Sequence, residues 1–232
     1  MATCHVVRIH RIGYAAGVAL QHRILERVKA TGAADAVLVL LEHDPVITIG
    51  RSGTEAHLRV PRAELAGRGI ELHESRRGGD ITYHGPGQIV GYPIVHLPEG
   101  RRDVHRYLRS VEAVLIGALA RFGIAGRRVD GYTGVWVGDA KVAAIGVAFS
   151  RWTAHHGFAL NVTTDLSAFG LIVPCGIEGR PVTSMRRILG TPPRRSHVED
   201  ALVAGFAAEF GFDQVRECTS VDELPQALRQ PS

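Results

Sequence analysis

Six short runs of β-branched and aliphatic residues, at 36–41, 46–49, 89–95, 135–137, 141–149 and 157–162, set the terms for any fold of this chain. Each has strand length and is bounded by turn-forming residues. Only three segments carry helical spacing instead. Tyr14 to Ala30 places Leu20, Ile24 and Val28 on one face and stops at Gly32. Asp103 caps a stretch in which Tyr107, Leu108, Val111, Leu115, Leu119 and Phe122 recur before Gly123. Ser196 and Glu199 form a capping-box pattern ahead of Ala201 to Phe210, which ends at Gly211. Helices in separate blocks, without strict alternation with strands, predict an α+β fold with a mixed or antiparallel sheet and flanking helices.

One hairpin is legible in detail. Val135-Trp136-Val137 is followed by Gly138-Asp139 and then by the apolar run that Lys141 heads. Gly-Asp suits the positive φ of a primed turn, so Lys141 belongs near the start of the returning strand. Its ammonium needs either solvent or an anionic partner there, and snorkelling is the bland alternative to a catalytic role.

A chain of 232 residues, 45% apolar and 22% charged, can bury its own core, and we expect a single domain over 1–232 with the polar tail of about 213–232 peripheral. The N-terminal residues lack an apolar signal segment, and no apolar run is long enough to span a bilayer. Three widely spaced cysteines, Cys4, Cys175 and Cys218, argue against a disulfide framework. The expected location is the cytoplasm. A formal charge of +4 favours an acidic partner, with paired arginines at 101–102, 127–128, 186–187 and 194–195. The aromatic interleaving typical of nucleic-acid binding is missing.

The familiar cofactor patterns are also missing. There is no P-loop, no dinucleotide fingerprint, no serine nucleophile elbow and no Cys-x-x-Cys, and His155-His156 is a weak metal signal. The chemistry-bearing stretch is Arg76 to Gln88, where glycines and a proline break up residues able to donate or accept protons. Glycines there let backbone approach a ligand, while Arg77 and His84 could hold a carbonyl, carboxylate or phosphate. The second feature is Cys175, set between Pro174 and Gly176, a pattern that suggests a tight turn with the sulfur at its tip.

These residues together resemble the lipoyl(octanoyl) transferase family. The shared motifs are Glu42-His43-Asp44-Pro45 with Thr48 and Gly50-Arg51, then Arg77-Gly78-Gly79 and Thr82 to Gln88, then Gly134-Val135-Trp136. They continue through Lys141 to Val147, His156-Gly157, Ala159-Leu160-Asn161, Asp165-Leu166 with Phe169, Pro174 to Ile177, and Thr183-Ser184. The resemblance implies the fold of biotin and lipoate protein ligase catalytic domains. It also implies transfer of octanoate from octanoyl-acyl carrier protein to a lysine of an apo lipoyl domain, in 2-oxoacid dehydrogenase complexes and the glycine-cleavage H protein. In that scheme Cys175 is the nucleophile and Lys141 lowers its pKa. Arg77, Gly78, Gly79, Asp80, Ile81, Thr82, Tyr83, His84, Ala144, Ile145, Gly146, Gly157, Phe158 and Ala159 bind the acyl group, with no metal or other cofactor, no nucleic acid and no membrane involved. An oxyanion donor is expected in the Gly78-Gly79 loop or beside Cys175. The rivals are an ATP-dependent lipoate or biotin ligase on the same fold and a non-catalytic basic binding module.

Overall fold

The computed structural model describes residues 1–31, 35–173 and 180–225. Cys175, with Pro174, Gly176 and Ile177, lies outside the described residues, as does the helix stop expected at Gly32.

In chain order the elements are β1 (Thr3–Arg8), α1 (Tyr14–Thr31), β2 (Ala36–Leu41), β3 (Val46–Ile49), α2 (Arg62–Gly67), β4 (Glu71–Glu74), β5 (Ile81–His84) and β6 (Gln88–His96). There follow α3 (Val104–Ala120), β7 (Arg127–Val129), β8 (Tyr132–Val137), β9 (Ala140–Ser150), β10 (Thr153–Asn161), α4 (Met185–Leu189), α5 (Arg195–Phe210) and β11 (Gln214–Cys218). The architecture is α+β with a mixed sheet. An eight-stranded sheet runs β11-β1-β2-β6-β10-β9-β8-β7, and a three-stranded sheet runs β4-β3-β5. The β11, β1 and β2 strands are parallel, while every pairing from β2 to β7 is antiparallel.

The large sheet is buried on both faces, which is why β2 reads as an unbroken apolar run. Ala36, Leu38 and Leu40 pack into a core with α3 and α5, while Val37, Val39 and Leu41 pack with Leu20, Ile24 and Val28 of α1. A third core under the small sheet joins Ile47 and Ile81 to Leu65, Phe169 and Ile172.

The hairpin forms as read: Trp136 faces Lys141, Val137 faces Ala140, and Gly138 takes φ +55°. One expectation changes. The helix expected to start after Ser196 begins at Arg195, and its cap residue Arg194 makes no side-chain cap bond. Glu199 instead pairs with Arg195 and Arg8, so an ion-pair cluster fixes this end of α5. Within the expected peripheral tail, Gln214–Cys218 forms β11, a largely exposed strand at the sheet edge beside β1.

Candidate active site

The Arg76–Gln88 stretch is a loop leading into a buried strand, β5. The loop is laid onto β9 by a hydrogen bond from Gly78 N–H to the Val147 carbonyl, 2.9 Å. Gly146 makes this approach possible, since a Cβ there would stand 2.8 Å from the Gly78 carbonyl oxygen. The bond also occupies the Gly78 N–H, which removes it from the candidate oxyanion donors.

Between this loop, β5 and the strand pair β9–β10 lies a cavity of about 60 Å³, room for several waters or a short hydrocarbon chain. Arg77, Gly79, Asp80, Ile81, Thr82, His84, Ala144, Ile145, Gly146, Gly157, Phe158 and Ala159 line it, together with Tyr14, Val90, Tyr92 and His156. Two residues expected in the acyl site do not line this space. Gly78 is turned toward Val147, and Tyr83, on the other face of β5, packs edge-on against Phe169.

Several polar groups of the wall bond to one another or to the residues behind them. Arg77 donates from Nε and Nη2 to Thr48 Oγ1, at 3.2 and 2.9 Å, and from Nη2 to the Thr48 carbonyl at 2.7 Å. Gln88 Nε2 donates to Asn161 Oδ1 at 2.9 Å and to the Tyr83 carbonyl at 3.1 Å, so its Oε1 accepts from His84 Nδ1 at 2.7 Å. That assignment leaves His84 Nε2 as an acceptor facing Thr48 Oγ1 at 3.5 Å. By the same logic His43 Nδ1 donates to the Ile12 carbonyl, and Nε2 accepts from Tyr92 Oη at 2.6 Å. These imidazoles are neutral: burial pushes His84 and His156 down to about 3, and burial lowers His43 as well. Arg77 and His84 thus brace the cavity wall through Thr48 and Gln88.

Lys141 sits beside a second, smaller cavity lined also by Thr82, Gln88, Ala144, Ala159, Asn161, Phe169 and Val182. Thr82, Ala144 and Ala159 line both cavities, so the two adjoin. Lys141 is 9% exposed, and its Nζ lies 5.0 Å from the centroid of the Trp136 ring. Its backbone is stitched to the segment after residue 179: Lys141 N–H donates to the Pro181 carbonyl, and Thr183 N–H donates to the Lys141 carbonyl, each 2.9 Å. Arg180 stacks on Tyr132 and Trp136 at 4.7 and 5.3 Å. On the other side of the 174–179 stretch, Val173 N–H donates to the His57 carbonyl at 2.8 Å.

Cys4 and Cys218 are both buried and free. Burial raises Cys4 to about 12 and raises Cys218 as well, so neither thiol ionises readily near neutrality. Among the described residues no group of His, Cys, Asp and Glu side chains could hold a metal ion, His155-His156 included. No helix among them is long and apolar enough to cross a membrane. Sequence reasoning missed Tyr14, Val90, Tyr92 and His156 as wall residues. His156 stood in a quoted motif, but Tyr14 and Tyr92 reach the cavity from α1 and β6, which no local pattern signals.

Residues 13–207 match the lipoyl protein ligase A/B catalytic domain family. The octanoyltransferase of Myxococcus xanthus is 48% identical over 93% of this chain, which spans 62% of that relative. The octanoyltransferases of Solibacter usitatus and Chloroflexus aggregans are 46% and 47% identical, with 96% and 98% of their lengths covered. Among solved structures, a bipartite lipoate protein ligase from Thermoplasma acidophilum superposes with a TM-score of 0.74 at 18% identity, covering 99% of this chain and 91% of that one. Lipoate-protein ligase A bound with ATP gives 0.75 at 16%, covering 97% and 90%. At these identities the structures share the fold alone.

Proposed function

From the premise that the chain belongs to the lipoyl protein ligase A/B catalytic domain family and groups with its octanoyltransferases, we propose a two-step octanoyl transfer in which Cys175 carries the acyl group. The donor is octanoyl-acyl carrier protein. The acceptor is a lysine amine of an apo lipoyl domain, in 2-oxoacid dehydrogenase complexes or the glycine-cleavage H protein. The observation that carries this reading is that the Lys141 cavity adjoins the apolar cavity between β5 and β9–β10, with Thr82, Ala144 and Ala159 lining both.

In the first step the Cys175 thiolate attacks the octanoyl thioester carbonyl. The tetrahedral intermediate expels the carrier thiolate, which takes a proton from the Lys141 ammonium, leaving octanoyl-Cys175 and neutral Lys141. A free thiol with a pKa of about 8.5 is only a few per cent ionised at neutral pH, so an adjacent cation is its natural activator. An ammonium roughly 4 Å away contributes up to about 4 kcal/mol at an effective dielectric near 20, before desolvation. Lys141 is suited to that role: its strand is bonded to residues 181 and 183, and it lines the small cavity that adjoins the apolar one. In the second step the acceptor amine attacks octanoyl-Cys175 and passes its proton to neutral Lys141. The amide forms, and the thiolate leaves. The apolar wall of Ile81, Val90, Ile145 and Phe158 holds the hydrocarbon chain during both steps.

The acidic carrier is recognised through charge. Arg51, Arg101, Arg102, Arg151, Arg186 and Arg187 are all exposed. Arg186 and Arg187 follow the segment bonded to Lys141, whereas Arg151 lies past the far end of β9, about 30 Å along the strand. Arg102 stacks on Trp152 at that same far end. The docking face therefore includes Arg186 and Arg187. A cytoplasmic location belongs to the same reading, with both described cysteines free.

The test is transfer from octanoyl carrier protein to an apo lipoyl domain with chelator present and nucleotide omitted. Full-rate transfer is expected, with salt weakening the carrier reaction far more than reaction with a small octanoyl thioester. A strict ATP requirement would favour a ligase instead.

A further inference from the structure

His156 has a backbone conformation that strand pairing does not explain. It lies within β10 opposite Val147, yet its φ is +54°. Few residues other than glycine adopt this left-handed region, and inside a strand it persists only where surroundings enforce it. Two features enforce it here. β6 carries Pro93, which has no N–H to donate, and β6–β10 pairing lapses between Ala154–Val95 and Phe158–Gly91 although the register is kept on both sides. The His156 N–H turns out of the ladder to donate to Gln21 Oε1 of α1 at 2.8 Å, and Gln21 is fully buried.

The consequence is where the imidazole goes. His156 lines the acyl cavity and is 4% exposed, and its Nε2 has no hydrogen-bond partner among the described residues. Ala144 and Ala159 mark the junction with the Lys141 cavity, and the Val147–His156 rung lies three residues further along both strands. That separation is about 10 Å, the reach of a medium-length acyl chain that starts at this junction. Tyr92 stands beside His156, ring centroids 6.4 Å apart, with its hydroxyl committed to His43.

We propose that His156 determines acyl-chain length, its imidazole closing the end of the cavity remote from Lys141 and restricting the donor to medium-chain acyl thioesters. The inference rests on the proposed placement of the acyl group. A chain longer by a few methylenes would have to press on a ring that the distorted backbone holds in place. A shorter chain would leave apolar wall uncovered and lose burial.

The experiment compares kcat/KM for hexanoyl, octanoyl, decanoyl and dodecanoyl thioesters of carrier protein in the wild type, His156→Gly and His156→Asn. Glycine accepts φ +54° without strain, so His156→Gly empties the end wall while keeping the backbone, and asparagine tolerates the same region. The decanoyl-to-octanoyl ratio is expected to rise about tenfold in His156→Gly and less in His156→Asn, with cooperative thermal unfolding retained in both. Unchanged ratios in folded variants that still transfer octanoate would overturn the chain-length role and leave the transferase reading intact. Loss of transfer at every chain length in folded variants would also overturn it, by placing His156 in the reaction itself. Failure of wild-type protein to accept any acyl thioester would instead strike the transferase reading.

Discussion

Lys141 and Arg77 show how differently two buried cations can serve one site. Arg77 spends its guanidinium on Thr48 and the Gly78 carbonyl, so it holds the loop that walls the cavity. Lys141 lies over the Trp136 face with its backbone tied to residues 181 and 183, and this supports its assignment as partner of the Cys175 thiol. Lys141→Ala should move the pH dependence of Cys175 alkylation upward by a unit or more, whereas Lys141→Arg keeps the charge and loses proton transfer to the acceptor amine. Mass-resolved alkylation rates across pH measure this, and an unshifted profile in Lys141→Ala would remove the lysine from the mechanism. Both residues could be singled out from sequence, because a lysine heading an apolar strand and an arginine before two glycines are conspicuous. Their division of labour could not, since Thr48 reaches Arg77 across the small sheet and not along the chain.

At the scale of elements, the long central pieces were legible and the edges were not. β2 is an uninterrupted apolar run, and β6, β9 and β10 are mostly apolar, because both faces of the large sheet are covered. β4, β7 and β11 are short and largely exposed, so neither hydrophobic run nor alternation marks them; their pairing to neighbours makes them strands. β5 was masked by the glycine-rich sequence before it, although the loop and strand together form one side of the cavity. The loop depends on Gly146, whose place beside the Gly78 carbonyl leaves no room for a side chain. Gly146→Val should push the loop off β9, cost roughly 1–3 kcal/mol of stability as an overpacked site, and lower kcat/KM for octanoyl thioester more than tenfold. Denaturant titration and steady-state kinetics report the two effects. A folded Gly146→Val protein of wild-type efficiency would show that the loop does not shape the acyl site.

For the whole molecule, the sequence predicted the fold class well, because strand runs and helix blocks are each set by burial in a layered structure. It did not predict the convergence of α1, β5, β6, β9 and β10 on one cavity, which is a property of strand order. That convergence concentrates neutral imidazoles in the interior: burial first, and neighbouring cationic or imidazole groups next, lower His84 and His156 to about 3. His155 is lowered to about 4, with burial again the largest cause. In the unfolded chain these residues would titrate near 6.5. Between that value and the folded values the unfolded state binds more protons, so stability is complete above about pH 6.5 and declines as pH falls. The thermal midpoint should accordingly drop between pH 7 and pH 5, and His84→Gln should weaken that dependence. A midpoint independent of pH over that interval would mean that these imidazoles are not held neutral by the fold.

The account turns on a covalent octanoyl group at one cysteine. Cys4 and Cys218 are buried thiols held in the protonated form, and neither lines the acyl cavity. The direct measurement is intact mass after brief incubation with octanoyl carrier protein and no acceptor, on the wild type and on Cys4→Ala, Cys175→Ala and Cys218→Ala. A gain of one octanoyl group in the wild type, Cys4→Ala and Cys218→Ala but not in Cys175→Ala is the predicted result. No adduct in the wild type, or an adduct that persists in Cys175→Ala, would contradict it.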